Sequence, residues 1–195
     1  MIIFIFIFSA EILGEINNFY GIFHNFDDII HTINGFLATS IGFSLIYLLN
    51  ENIDTFKLSP IFISLVAFCF SMTIGIAWEF FEYGMDNFFG LDMQKDEYVY
   101  KINTVTTDPK QSNNVMKIDN INHIVIYDQN QNEIIKLNGY LDIGLHDTMK
   151  DLIVNFIGAF VFSIFGFLYS INQEKYKIAG HFLTKKNNWK LLKKE

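Results

Sequence analysis

Long apolar segments without charge constrain this chain more than any other feature. Residues 61–78 and 152–171 contain no charged side chain, and residues 29–49 contain one ionisable group, His31. A helix of about 20 apolar residues spans the hydrocarbon core of a bilayer, whereas a buried helix of a soluble protein is rarely this long and apolar on all its faces. The three segments therefore predict transmembrane helices.

Residues 1–17 predict a fourth span, although the apolar run before Glu11 is short. No basic residue precedes this run and no small-residue cleavage site follows it, so it does not match a secretory signal peptide. The predicted fold class is an all-α membrane protein, a four-helix transmembrane bundle with a small β-rich extracytoplasmic insert. Its predicted parts are residues 1–89 with spans at about 1–17, 29–49 and 60–88, the insert at 90–146, a last span at 147–172 and a basic tail at 173–195.

Lysine predicts the orientation of these spans. Seven of the 14 basic residues follow residue 172, and positive charge is retained on the cytoplasmic side of a membrane. The tail is therefore expected in the cytoplasm. Because the spans of a cell-membrane protein alternate in direction, the insert is expected outside the cell and the N-terminus in the cytoplasm. The tail either lies along the anionic inner leaflet, anchored by Phe182 and Trp189, or is solvated and only fixes topology.

The segment 90–146 is polar and rich in residues that favour strands. The sequences HIVIYD (123–128) and EIIKLN (133–138) flank the polar turn QNQN, and this pattern predicts a hairpin. Residues 97–105 and 114–121 have the composition of further strands. A small β-subdomain is therefore expected between the last two spans.

Charge and cysteine content exclude several classes of function. Residues 1–89 and 147–172 together carry 11 acidic side chains and two lysines. Such a body repels nucleic-acid phosphates, so a nucleic-acid partner is excluded and the lipid bilayer is the expected partner. The single cysteine, Cys69, excludes an internal disulfide and a cysteine-based zinc site.

Acidic and polar residues recur at helical spacing at one end of each predicted span. Steps of three and four residues place such side chains on one helix face, and the alternating orientation brings the four faces to the same outer membrane level. The sets are Glu11 with Glu15; Asp27 with His31 and His24 with Asp28; Glu79, Glu82 and Asp86; and Asp147, Asp151 and Asn155. Because charge within a bilayer is costly, these groups either bind a cation, stay protonated and hydrogen-bonded, or line a water-filled cavity.

This arrangement supports several chemical interpretations. His31, Glu79, Glu82 and Asp151 are candidate ligands for a divalent metal ion, because zinc accepts both imidazole and carboxylate. Glu79, Glu82 and Asp151 are also the candidate catalytic residues, since burial tunes a carboxyl group for acid–base chemistry. The structural alternative is that His31 is an interhelical hydrogen-bond partner and the carboxyl groups pair with one another, with Asp147 as the N-cap of the last span.

Three sequence blocks resemble a known family. DDIIHTINGF (27–36), WEFFEYGMDNFFGLDMQ (78–94) and GLHDTMKDLIVNFIGA (144–159) resemble, in order and local spacing, the YjdF-type family of bacterial integral membrane proteins. More distantly, the pattern is similar to VanZ-like membrane proteins, some of which are linked to glycopeptide-antibiotic tolerance at the cell envelope. The YjdF-type resemblance implies a set of characteristic positions: Asp28, His31, Gly35, Glu79, Glu82, Asp86, Gln94, Asp147, Asp151 and Asn155.

The resemblance implies a membrane location but no specific activity. Its polar positions add a candidate ligand-binding set: Asp28, His31, Asp86, Gln94, Asp147 and Asn155. Three function classes stay open: a protein that binds a cation or a lipid-linked head group in envelope maintenance, a metal-assisted hydrolase or transferase acting on an envelope lipid, and a scaffold whose insert contacts a protein partner. The sequence contains no phosphate loop or nucleotide fingerprint that selects among them, and it leaves the oligomeric state open.

Overall fold

The computed structural model describes residues 6, 8–17, 19–23, 25–52 and 57–183, with the backbone alone at positions 9, 11 and 15. Its helical elements are a π-helical segment Ser9–Ile16, α1 (Phe19–Ile22), α2 (Phe26–Asn52), α3 (Pro60–Phe89), α4 (Leu145–Ile171) and a 3-10 segment Ala179–Phe182. Several predicted features lie outside the described residues: the start of the first span, the side chains of Glu11 and Glu15, His24, and the tail from residue 184 onward.

Helices α2, α3 and α4 are each long and apolar enough to cross a membrane. They contain the three segments that hydropathy singled out, and the prediction that these segments form long apolar helices is confirmed. Where a first span was expected, the described backbone is π-helical over Ser9–Ile16. Three candidate spans are therefore found within the described part of the chain, and the four-helix bundle stays a prediction.

Local signals set the ends of these helices. Pro60 is the first residue of α3, where its missing N–H removes no helical hydrogen bond. Gly90 ends the same helix with a φ of 67°, and the N–H groups of Gly90 and Leu91 donate to the carbonyls of Asp86 and Met85. This is the pattern of a glycine C-cap, because glycine adopts the left-handed conformation at little cost.

The chain divides into two compact units, residues 1–80 with 150–195 and residues 81–149. The apolar core of the first unit contains the fully buried rings of Phe43 and Phe162. Their centroids lie 6.0 Å apart in an edge-on arrangement, and Ile63 and Ala67 of α3 belong to the same core. Other large apolar side chains of the three helices are exposed, as is expected for surfaces that face lipid: Ile41, Leu45, Leu49, Leu65, Ile153, Phe160 and Ile164.

Close backbone contacts join the helices of the first unit. A Cβ at Gly35 would lie 2.1 Å from the carbonyl oxygen of Asn155, and a Cβ at Gly158 would lie 1.9 Å from that of Thr32. The Ser71 hydroxyl of α3 donates to the Gly35 carbonyl at 2.8 Å. Small residues let membrane helices approach in this way, and the polar contact adds an interhelical hydrogen bond.

The second unit contains three two-stranded antiparallel ladders, which confirms the predicted β-rich insert. They pair β1 (Glu97–Val99) with β6 (Tyr140–Asp142), β2 (Ile102–Thr104) with β3 (Met116–Ile118), and β4 (Ile124–Tyr127) with β5 (Glu133–Leu137). The β4–β5 hairpin is the one predicted from two strand-favouring runs around a polar turn, with Ile124 opposite Leu137 and an irregularity after Ile126.

Two aspartates order the turns of the insert. Asp108 accepts hydrogen bonds from the N–H groups of Lys110, Ser112 and Asn114. These bonds, with that from Lys110 the strongest influence, lower the pKa of Asp108 below its ordinary value. Asp128 is held in the same way, because its side-chain and backbone hydrogen bonds from Asn132 lower its pKa.

Candidate functional site

A histidine and two aspartates meet between α2 and α4. Asp27 and His31 lie four residues apart on α2, so their side chains share one face. The Nε2 atom of His31 is 3.6 Å from a carboxylate oxygen of Asp27 and 3.6 Å from one of Asp151 on α4. His31 is only 8% exposed and Asp151 only 2%, so the contact between the helices is shielded from solvent.

Helix α3 contributes a third acidic side chain to this place. Glu79 is buried, and one of its carboxylate oxygens lies within 4.8 Å of one from Asp151. We call Asp27, His31, Glu79 and Asp151 the His31 cluster. One ligand atom from each of Asp27, His31 and Asp151 also lies within 4.8 Å of the other two, so these three side chains are near enough to hold a metal ion.

Lys150 of α4 forms an ion pair with Asp28 of α2. The ammonium group of Lys150 lies 3.0 Å from a carboxylate oxygen of Asp28, and both side chains are partly exposed. The consecutive residues Asp27 and Asp28 thus have different partners, because neighbours on a helix point about 100° apart. Asp27 faces His31, whereas Asp28, the sequence candidate, forms an ion pair.

A buried amide lies one helical turn from Asp151. Asn155 is 1% exposed, and its side chain lies against Gly75 of α3, where a Cβ would come within 2.7 Å of the amide nitrogen. The Nδ2 atom is directed at the sulfur of Met72, 3.7 Å away. Among the described residues, no hydrogen-bond donor reaches the buried Oδ1 atom of Asn155.

The remaining predicted residues belong to the second unit. Both carboxylate oxygens of Asp86 accept backbone hydrogen bonds, from Met93 at 2.6 Å and from Gln94 at 2.8 Å. The Gln94 amide donates to the Thr148 hydroxyl. These contacts order the segment that follows α3, so Asp86 and Gln94 have a structural role here.

Asp147 differs from its predicted capping role. Helix α4 begins at Leu145, two residues before Asp147, so Asp147 lies within the first turn. Its carboxylate accepts a hydrogen bond from the backbone N–H of Lys95 at 2.7 Å. The carboxylate near the helix start is instead that of Asp142, which accepts from the N–H of His146 at 2.8 Å.

Glu82 is buried one turn after Glu79 on α3. Among the sequence candidates of the first unit, His31, Glu79 and Asp151 lie close together and Asn155 lies one turn from Asp151, whereas Asp28 pairs with Lys150. Asp27 is the residue that the sequence candidates omitted. The sequence showed its four-residue spacing from His31, but the family resemblance put the adjacent Asp28 in the candidate set instead.

Comparison with known proteins establishes the family. Residues 1–172 match the family model described as "Predicted membrane protein (DUF2238)". This chain therefore belongs to that family of membrane proteins, and the predicted membership of an uncharacterised membrane protein family is confirmed. No curated protein and no solved structure matches the sequence. The distant similarity to VanZ-like proteins stays a prediction.

Proposed function

We propose that this chain is a multi-pass membrane protein of the bacterial cell envelope that binds a cation at the His31 cluster. The observation that carries the proposal is the 3.6 Å separation of His31 Nε2 from carboxylates on two different helices. Ionisable groups within membrane helices are costly and normally mark functional sites. A bound cation offsets that cost for several carboxylates at once.

Charge favours a cation over an anionic head group as the first ligand. The His31 cluster contains three carboxyl groups and one imidazole, and the nearby Lys150 pairs with Asp28. A phosphate that approached these carboxylates would be repelled. A lipid-linked phosphate head group therefore binds here through the cation, which gives the cluster a role in envelope maintenance.

The lysine distribution supports an outward-facing site. Seven lysines follow residue 172, and the positive-inside rule puts that end of α4 in the cytoplasm. Asp151 lies near the opposite end of α4. The His31 cluster then lies toward the outer face, where it can meet envelope lipids.

A second candidate function is metal-assisted hydrolysis or group transfer on an envelope lipid. It is favoured by the three donor atoms of Asp27, His31 and Asp151, which lie within 4.8 Å of one another. A catalytic metal site commonly has three protein ligands and one open position. Glu79, buried beside Asp151, is then the candidate general base.

Thermal unfolding of the detergent-purified full chain tests cation binding. We expect at least one of Zn²⁺, Mn²⁺, Mg²⁺ and Ca²⁺ to raise the stability of the wild type by about 2.7 kcal/mol at 100 times its dissociation constant. His31→Ala should lose this response, whereas His146→Ala, at an exposed histidine, should keep it. If none of the four ions stabilises the wild type, the scaffold alternative with paired carboxyl groups replaces the proposal.

A further inference from the structure

The donor types of the His31 cluster narrow the class of cation. Calcium and magnesium take oxygen ligands, whereas zinc and related first-row metals accept imidazole nitrogen together with carboxylate oxygen. The Nε2 atom of His31 lies 3.6 Å from an oxygen of Asp27 and 3.6 Å from one of Asp151. A neutral imidazole with its proton on Nδ1 offers a lone pair at Nε2 to the space between the two carboxylates.

The separations fit a single small ion. Zinc–nitrogen and zinc–oxygen bonds of about 2.0–2.2 Å at tetrahedral angles put neighbouring donor atoms about 3.4 Å apart. The two measured separations from His31 Nε2 are 3.6 Å. The donor atoms of Asp27 and Asp151 lie within 4.8 Å of each other, so an adjustment of the aspartate side chains brings one nitrogen and two oxygens to bonding distance of one ion.

Asn155 supplies independent evidence for a ligand at this place. Its amide nitrogen is directed at Met72, so its oxygen, on the other side of the planar amide, points away from Met72. Side chains on a helix lean toward the helix N-terminus, which directs Asn155 toward the turn of Asp151. This oxygen is buried and accepts no hydrogen bond from any described residue, and a metal-bound water would supply the missing donor.

We infer that Asp27, His31 and Asp151 form a three-ligand site for a first-row transition metal ion of the Zn²⁺ class. The fourth position is open to water, and Asn155 is the acceptor that orients it. This inference rests on the proposed function and narrows its cation to ions that bind imidazole. It also deepens the enzymatic alternative, since an open position is where an envelope phosphate or ester would coordinate.

Metal loading of the full-length protein tests the inference. Detergent-purified chain is stripped with a chelator, dialysed separately against Zn²⁺, Co²⁺, Mg²⁺ and Ca²⁺, and analysed for bound metal. We expect one Zn²⁺ or Co²⁺ per chain, with the visible absorption of a four-coordinate Co²⁺ site. Zn²⁺ affinity should fall at least about tenfold in His31→Ala and in Asp27→Asn, because even the loss of a residue that only orients a ligand costs that much.

Two features of the design keep the result decisive. His146→Ala is the matched histidine control and should bind Zn²⁺ like the wild type. Asp27 is partly exposed, so Asp27→Asn provides a second variant if His31→Ala does not fold.

The outcomes separate this inference from the broader proposal. Stoichiometric Mg²⁺ or Ca²⁺ that displaces Zn²⁺ and is lost in Asp151→Asn would overturn the metal class and leave cation binding standing. Zn²⁺ binding that His31→Ala and Asp27→Asn leave unchanged would overturn the ligand assignment. Absence of all four ions from folded wild-type protein would overturn both the inference and the proposed function.

Discussion

Gly158 of α4 faces Thr32 of α2 so closely that a Cβ on the glycine would lie 1.9 Å from the threonine carbonyl oxygen. In the second close contact of these helices, a Cβ on Gly35 would likewise meet a backbone carbonyl oxygen, that of Asn155. Both are contacts between backbones, which cannot yield by a change of side-chain rotamer. The crossing therefore fixes the distance between α2 and α4 and, with it, the distance between His31 and Asp151.

A methyl group at this crossing should separate the helices. We expect Gly158→Ala to lower the free energy of unfolding by about 3 kcal/mol, at the upper end of the cost of overpacking, and to weaken any ligand held between His31 and Asp151. Thermal unfolding in detergent measures the first effect. Gly84→Ala is the matched control, because a Cβ there meets only Phe88 at 3.9 Å. Equal melting temperatures for the two variants would contradict the close crossing.

The hydroxyl of Ser71 ties α3 to the same crossing through the Gly35 carbonyl. Ser71→Ala should cost about 0.6 kcal/mol, the average for interhelical hydrogen bonds in membranes, and at most about 1.7 kcal/mol. Thr73→Val is the control, since the Thr73 hydroxyl is exposed and donates within its own helix to Cys69. Reversible unfolding of both variants gives the comparison, and a cost for Thr73→Val as large as that for Ser71→Ala would argue against the interhelical bond.

Asp86 should control how tightly the segment after α3 is held. Asp86→Ala removes the acceptor for the N–H groups of Met93 and Gln94, and each lost bond to a charged group costs about 1.5–3 kcal/mol. Trypsin cleavage after Lys95 should then be at least about tenfold faster, because proteolysis follows the population of the open segment. Asp92→Ala, at an exposed neighbour, should leave the rate unchanged. Equal rates for both variants would show that Asp86 does not order this segment.

The insert should lose local order in acid. The pKa of Asp108 is lowered in the fold, so its stabilising contribution is present above the ordinary aspartate pKa and is lost as the pH falls through the lowered value. We expect the amides of Lys110, Ser112 and Asn114 to lose protection from hydrogen exchange over that range. Asp108→Asn no longer titrates and should show no such step. A step at the same pH in both proteins would assign the effect to another group.

Labelling of single cysteines tests the orientation of the spans. In a Cys69→Ser background, Asn130→Cys lies in the β4–β5 turn and Glu174→Cys follows α4. We expect a membrane-impermeant maleimide to label Asn130→Cys in intact cells and Glu174→Cys only after permeabilisation. The reverse labelling pattern would show the opposite membrane topology, with the His31 cluster at the inner face.

Hydropathy was sufficient to predict α2, α3 and α4, because a bilayer imposes a minimum apolar length that few other structures share. Two runs of strand-favouring residues around a polar turn were likewise sufficient to predict the β4–β5 hairpin. The pairing of β1 with β6 was not predictable in this way, since it joins segments about 40 residues apart that carry no turn signal. Helix ends are commonly misplaced by one or two residues when they are inferred from sequence. The start of α4 was misplaced in this way, and the N-cap role was therefore assigned to Asp147.

The rotation of each helix limited the prediction of the site. Periodicity placed Asp151 and Asn155 on one face of α4 and Glu79 on the polar face of α3. In the structure Glu79 does lie close to Asp151, and Asn155 lies against Gly75 of α3. It also placed Asp27 beside His31, but it could not show whether this pair or Asp28 faces α4, because the rotation of α2 about its own axis decides which face meets the neighbouring helix. That rotation is set by backbone contacts at Gly35 and Gly158, which depend on the partner helix and are absent from the pattern of either helix alone.

The β1–β6 ladder closes the insert at its base, with Glu97 opposite Asp142 and Val99 opposite Tyr140. The chain thus leaves and re-enters this ladder at neighbouring points, whatever lies between. Residues 100–139 can for that reason lengthen, shorten or be exchanged for another domain while the ladder keeps its two ends together. The β1–β6 ladder is therefore the place at which a different domain can be spliced into this chain without separating the two strands that hold it.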